Sequence, residues 1–489
     1  MHPVTNPNKP GKIRLVNDAA AEFKGTSLNK SLVTGPDLLN SLVGILLRFR
    51  THPVAIAADL KDFFHRVRVS DGDADSLRFL WQDDIHSNEP PDTYQMLSHI
   101  FGATDSPSCA NYALKRVARD NASDYDGQTV ESALRSFYVD DFLKSVLTEE
   151  QGIKLSKELI SMLKKGDMRL TKFLSNSKKV LEAIPESEHS PSISFDIQDG
   201  EEQFERALGM SWNVKDDVFT FTTTLKDGDT KRGILSITTS LFDPIGFLAA
   251  FILVAKLILQ ELWRLGCQWD EVIDERVQKR WNKWLEGARN LPKIRISRQY
   301  LITDEKVTEV QLHIFCDASE LAFGCVAYLR FSLKSGGHFS SFVMAKTRLA
   351  PIETKTLPRL ELDAAQIGAH ISRFVVHETD YPVERIQYWT DSMLTLQYIN
   401  NQTKRFKVYV ANRVSDIHDL SSPDQWAHVP GKQNPADVLS RGVDDPMELM
   451  NSGHFTGPKF LQDEEVSGRR PSSRSSTRMT LKLERNRCW

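Results

Sequence analysis

Two adjacent aspartates between two apolar, β-leaning runs constrain this chain more than any other feature. The segment SFYVDDFLKSV sets Asp140 and Asp141 between Ser136–Val139 and Phe142–Val146. That pattern predicts a β-hairpin with both acids at its tip. Upstream, the apolar run Val54–Ala58 ends on Asp59. An acid at a strand end plus two at a hairpin tip suits a pair of divalent cations, which can clamp the attacking and leaving oxygens of a phosphoryl transfer. Without cations, three clustered carboxylates repel and raise one another's pKa.

The rest of the chain is compatible with such a site and excludes some alternatives. At 489 residues, length suggests about three domains. Hydrophobic content of 40% and charged content of 26% describe a globular rather than a disordered chain. The net charge of −3 gives no global nucleic-acid signal. A nucleic-acid partner would therefore need a local basic groove. The five cysteines, at 109, 267, 316, 325 and 488, show no CxxC or Cys/His finger spacing. They read as reduced thiols of an intracellular protein, with no zinc site expected. The N-terminus lacks the apolar core of a signal peptide. The longest apolar stretch, Ile245–Leu259, carries Lys256 and is short for a bilayer. It reads as a buried helix, opened by Asp243-Pro244 and closed by Gly266. A cytoplasmic protein without a membrane partner is expected.

Along the chain, KIRLVND reads as a strand with basic residues. GPDLLNSLVGILLRF reads as an amphipathic helix, with Leu38, Leu39, Leu42 and Ile45 on one repeat. Glu182–Gln203 is a polar loop or insertion. ALGMSWN and VFTFTTTL supply strands, and residues from 231 to about 290 are helical and Trp-rich. From about 306 three strands (QLHIFCDAS, FGCVAYLRF, SFVMAKTR) precede a helix with Leu360, Ala364, Ile367 and Ile371 on one face. A strand (IQYWTDS), a helix (SMLTLQYI), a strand (QWAHVPG) and a short helix (NPADVLSRG) follow. The Arg-rich tail from Val466 reads as disordered and solvated.

The ordered set DLKDFF, SPS, FYVDD and ALGMSWN resembles the palm of reverse transcriptases. With SLFDPIGFLAAFILVAKLILQELW and the downstream segments, it is most similar to the Pol protein of BEL/Pao-type long-terminal-repeat retrotransposons, over roughly residues 12 to 462. The resemblance implies an α/β (α+β) chain in four parts. Fingers and palm take 1–212, with the fingers truncated; a helical thumb or connection takes 213–305; a ribonuclease H-like domain takes 306–445; a basic extension takes 446–489.

It also implies roles. Asp59, Asp140 and Asp141 would hold two Mg²⁺ ions (or Mn²⁺) for polymerisation, with Asp62 a turn acid. Phe64, rather than Phe63, would exclude a ribose 2′-hydroxyl. Arg14 would grip the triphosphate, though a plain surface charge reads as well. Gly102, after Phe101 where related enzymes have Gln, would allow close approach of the template or nucleotide. Lys172 would be either a general acid for pyrophosphate or a solvated lysine. In the second domain Asp317, Glu361, Asp391 and Asp437 would converge on a second metal pair that cleaves RNA. Lys432 stands where many ribonucleases H have a mobile histidine, and His428 falls on the preceding strand. Asp363 reads as a helix-surface acid.

The implied partners are an RNA template, a DNA or tRNA primer, RNA–DNA hybrid, deoxynucleoside triphosphates and other Pol and Gag products, in a virus-like particle. The function expected is RNA-directed DNA synthesis with hybrid cleavage. The alternatives are a catalytically silent nucleic-acid-binding remnant, or ribonuclease H alone.

Overall fold

In the computed structural model, three larger sheets succeed one another along the chain, beside the two-stranded ribbons His2–Asn6/Lys9–Val16 and Arg78–Trp81/Asp92–Gln95. The structure describes all residues except 1, 7–8, 85, 87–88, 191–203, 208–209, 224–227, 354, 402–404 and 464–489. The basic tail and most of the polar insertion lie outside the described residues.

The first sheet is four-stranded and antiparallel, in the order Phe137–Tyr138, Asp141–Val146, Val54–Lys61, Arg169–Ser175. Side chains alternate across a strand, and Val54–Lys61 uses both faces. Val54, Ile56, Ala58 and Leu60 pack into one core, under the helices Ser106–Asp120, Gly127–Arg135 and Glu149–Lys164. Ala55 and Ala57 join a second, larger core. Asp59 continues that second face and emerges where its apolar cover ends.

The helix expected from Gly35 onward is shorter than its pattern. It runs Leu42–Phe49, capped by the Ser41 hydroxyl, so Leu38 and Leu39 precede it. Ser41 offers a backbone-capping oxygen that the leucines before it lack, and this sets the start.

A second sheet, Phe204–Ala207, Met210–Asn213, Val218–Thr220 and Ile296–Ser297, is covered by three helices, Lys231–Ser240, Ala249–Arg264 and Glu275–Ala288. Its central hairpin pairs Trp212 with Phe219 and Asn213 with Val218. The buried helix begins at Ala249 rather than Ile245. The Asp243 carboxylate, half-buried, accepts the backbone N–H groups of Gly246, Phe247 and Leu248 and holds 245–248 as a turn.

The third sheet has the order His338–Leu349, Ala322–Leu333, Val307–Ala318, Arg385–Thr390, Trp426–His428. The first three strands are antiparallel and the last two run parallel to Val307–Ala318. The helix Leu357–Glu378 packs on it. One helix, Val408–Leu420, is additional to the expected order. Its apolar signal, Val414 and Ile417 buried, is thin because most of its surface is polar. No helix among the described residues is long and apolar enough to cross a membrane.

The three units share the larger core, which runs from Ile45 through Trp212 and Trp284 to Leu461. Buried arginines stitch its seam. Arg50 donates to the carbonyls of Arg298 (3.0 Å) and Phe342 (2.8 Å) and lies over the Tyr300 ring. Arg298 donates to the carbonyls of His52 and Pro53 and pairs with Asp217. Arg48 pairs with Glu378 at the end of the long helix.

Candidate active sites

At the first site the strand register does the positioning. Asp59 and Asp141 are directly paired residues of neighbouring strands and therefore share a face. Only Asp140 sits in the hairpin turn; Asp141 already belongs to the strand Asp141–Val146, contrary to the expectation of both acids at the tip. The turn is tight: Val139 adopts φ +56°, a left-handed conformation unfavourable for a β-branched residue. Such strain persists only where the surroundings enforce it.

Burial drives the Asp141 carboxyl up to about 6, helped by Asp140 and Asp59 and opposed by Lys172. Asp140 is raised too, by burial first and then by Asp59. Lys172, itself at φ +55°, extends its ammonium to within 2.8 Å of Asp59 Oδ2. It is not simply solvated; it supplies the positive charge this carboxylate group calls for. Asp62 lies at φ +55° beyond the strand and faces Arg66 at 3.7 Å, as a turn acid would.

Phe64 is buried against Phe101, edge to face at 4.8 Å, while Phe63 is still more deeply buried. Gly102 has φ +101°, and a Cβ there would lie 2.3 Å from the Asn17 carbonyl oxygen. The close approach expected of Gly102 exists, but to the chain's own backbone. Arg14 lies on the strand Lys9–Val16, opposite Val4; its side chain is outside the described residues.

At the second site four elements contribute one acid each. Asp317 is near the end of Val307–Ala318, whose Cys316 pairs with Thr390 on the parallel neighbour. Asp391, the next residue on that neighbour, is thus brought beside Asp317. Glu361 stands in the early turns of Leu357–Glu378 and Asp437 opens the helix Asp437–Arg441.

Asp317 is only 6% exposed. Burial, with Asp391 and Asp437 adding repulsion, pushes its carboxyl up to about 7, against the hydrogen bond from Ser440. Burial and Asp391 likewise raise Glu361, whose Oε2 accepts the Ser392 hydroxyl. Arg441 faces Asp437 at 2.7 Å. Asn434 ties the loop to the strand by donating to the Cys316 carbonyl at 3.0 Å. Ser392, Ser440, Asn434 and Arg441 were not singled out in the sequence. Their signal was present, since each neighbours a chosen acid in WTDS or NPADVLSRG.

Lys432 is exposed in the turn Gly431–Gln433, and His428 ends the strand Trp426–His428 as expected. Asp363 is not a surface acid. It is 5% exposed and accepts from Lys355 and from Tyr409 and Arg413, the last two carried by the unforeseen helix Val408–Leu420.

Both groups fit divalent cations by their chemistry. Each crowds carboxylates under low exposure, so the ionised forms need a cation nearby. Each is wider than a single-ion cage, because neither brings three carboxylate oxygens within 4.8 Å of one another among the described residues.

Against this geometry stand three comparisons. Residues 230–392 match the family model of a Pao retrotransposon-like RNaseH-like domain. That stretch contains Asp317, Glu361 and Asp391, and begins with the helices that precede the third sheet. No curated protein matches the chain in sequence. Among solved structures, a foamy viral protease-reverse transcriptase dRH in complex with double-stranded DNA superposes with TM-score 0.54 at 15% identity, covering 87% of this chain and 64% of that one. The foamy viral protease-reverse transcriptase in complex with RNA/DNA hybrid gives TM-score 0.52 at 14% identity, covering 88% and 50%. The chain thus spans 64% and half of the lengths of these two chains. It has the mixed α/β fold of a reverse transcriptase/ribonuclease H region, with a Pao-type RNaseH-like domain.

Proposed function

We propose that this chain is an RNA-directed DNA polymerase with ribonuclease H activity, from the Pol region of a retrotransposon. The observation that carries the reading is the direct cross-strand pairing of Asp59 with Asp141, beside Asp140, in a fold shared with reverse transcriptases. Divalent cations, Mg²⁺ or Mn²⁺, would be held by these three acids and by Asp317, Glu361, Asp391 and Asp437, and would supply the positive charge that phosphoryl transfer demands.

The chain's own residues do the rest. Lys172 neutralises Asp59 and is near enough to the acids to donate a proton to a departing pyrophosphate. Phe64, backed by Phe101, narrows the space for the sugar of a deoxynucleoside triphosphate. Ser392 and Ser440 fix the carboxylate rotamers of Glu361 and Asp317. The partners are an RNA template with a DNA or tRNA primer at the first site, and RNA–DNA hybrid at the second. Binding would weaken as salt rises, roughly one unit of log K per unit of log salt for each phosphate contacted.

Primer extension on poly-rA/oligo-dT and cleavage of labelled hybrid, on one preparation with and without Mg²⁺, test the reading. Absence of both activities in a folded chain leaves the silent remnant; cleavage without extension leaves ribonuclease H alone.

A further inference from the structure

Among the described residues, the group that does bring three ligand atoms within 4.8 Å of one another is His99, Asp105 and Cys109, none of them an acid of either site. His99 closes the segment before the Phe101–Gly102 loop. Its backbone is fixed on both sides: its N–H donates to Val67 (2.9 Å), and its carbonyl faces the His65 ring (3.1 Å). Asp105 and Cys109 are four residues apart at the start of Ser106–Asp120 and so lie on one side of that helix.

Asp105 occupies the N-cap position, where an aspartate ordinarily accepts the helix's free N–H groups. Its side chain makes no cap hydrogen bond. One carboxylate oxygen, Oδ2, is 3.8 Å from His99 Nδ1, too far for a hydrogen bond. The other, Oδ1, is buried, and no donor among the described residues reaches it. A buried carboxylate oxygen without a donor is costly. A cation between the three gives that oxygen a partner.

We infer that His99, Asp105 and Cys109 form a zinc site with a fourth position open to water. Imidazole, thiolate and carboxylate together favour zinc over Mg²⁺, which prefers oxygen ligands alone. Zinc–ligand bonds of ~2.0–2.3 Å in a tetrahedron put ligand atoms roughly 3.3–3.8 Å apart. The His99–Asp105 separation of 3.8 Å is a few tenths of an ångström wider than a nitrogen–oxygen pair would need, and all three ligand atoms lie within 4.8 Å, a spread that modest side-chain rotations would close. The ion would clip the Phe101–Gly102 loop to the helix start, and through Phe101 steady Phe64. The sequence spacing H-x₅-D-x₃-C matches no finger pattern, which is why no zinc site was expected from it.

The test uses the full chain, stripped with chelator and reloaded with Zn²⁺ in excess Mg²⁺, which occupies oxygen-only sites. The parent should retain one zinc per chain after gel filtration and melt at a higher temperature with zinc than without. Cys109→Ser and His99→Ala should each lower retention at least tenfold and remove the zinc-dependent shift in melting. With Co²⁺ in place of Zn²⁺, the parent should show thiolate-to-cobalt charge-transfer absorption. Cys267→Ser should keep that band and Cys109→Ser should lose it. Zinc retention or a cobalt band that survives in Cys109→Ser overturns the site, as does a parent that holds no zinc. None of these readouts depends on polymerase activity, so the clip and the catalytic reading can fail separately.

Discussion

The two acid sites solve one electrostatic problem with opposite constructions. The first is local: a paired strand position, a strained turn and a lysine from the adjacent strand assemble it within one sheet. The second is dispersed: two parallel strands and two helices bring the four acids together, with serine hydroxyls on Glu361 and Asp317 and Arg441 on Asp437. Burial is the largest influence raising Asp141 at the first site and Asp317 at the second. The first site therefore depends on strand register, and the second on the packing of the whole domain.

The strongest way to break this comparison is to show that the sites are not separable. Asp140→Asn should reduce extension by a thousandfold or more, about 4 kcal/mol, and leave hybrid cleavage intact. Asp391→Asn should do the reverse. Near-parent extension by Asp140→Asn would remove the first site from the chemistry.

A slightly smaller effect should erase the distinction. Arg298 is fully buried and bridges the carbonyls of the first unit to Asp217 of the second. Arg298→Met leaves the Asp217 carboxylate with only the neutral donors of Trp212 and Asn176 and should lower stability by about 3–5 kcal/mol, reducing both activities together. Chemical denaturation measures it; unchanged stability would mean the units fold independently.

Protons should distinguish the sites next. Asp317 is raised from 3.8 to about 7 and Asp141 from 3.8 to about 6. A carboxyl raised on folding binds its proton more tightly in the folded state. Its contribution to stability is then full below pH 4 and lost as pH rises, through about 6 for Asp141 and about 7 for Asp317. In EDTA the chain should thus lose stability between about pH 4 and 7, and Asp317→Asn should flatten the upper part of that loss. Mg²⁺ should restore stability chiefly at the alkaline end. Melting curves against pH that are identical for parent and Asp317→Asn would contradict this.

The smallest effect is on sugar choice. Phe64→Ala should raise ribonucleotide use relative to deoxynucleotide by roughly tenfold, about 1.4 kcal/mol, with cleavage unaffected. An unchanged ratio in a folded variant moves the exclusion to another side chain.

These contrasts also explain what was legible in the sequence. The YVDD segment and the run before Asp59 announced the first site because register and turn are short-range properties. The strand–helix order after residue 306 was readable from period-2 and period-3.6 patterns. The missing helix, Val408–Leu420, carries only two fully buried apolar residues, so its periodicity is faint. Asp363 reads as a surface acid for the same reason, since two of its three partners, Tyr409 and Arg413, sit on that helix. Lys172 could be recognised only once Arg169–Ser175 was known to lie beside Val54–Lys61. Serine supports for Glu361 and Asp317 depend on χ angles and long-range approach, which no local pattern encodes.

The arginine-stitched seam has a consequence for how such a chain can be inherited and processed. Domains joined by a solvated linker can be recombined or trimmed apart by a protease with little penalty. Here a cut between the second and third sheets would leave Arg50 reaching for carbonyls that had departed, and Glu378 without its guanidinium. The third-sheet half is thus a poor candidate for independent life. On the function proposed above, selection acting on either activity would also preserve the scaffold of the other, so a copy that decays at one set of acids would keep the second intact for as long as the seam holds.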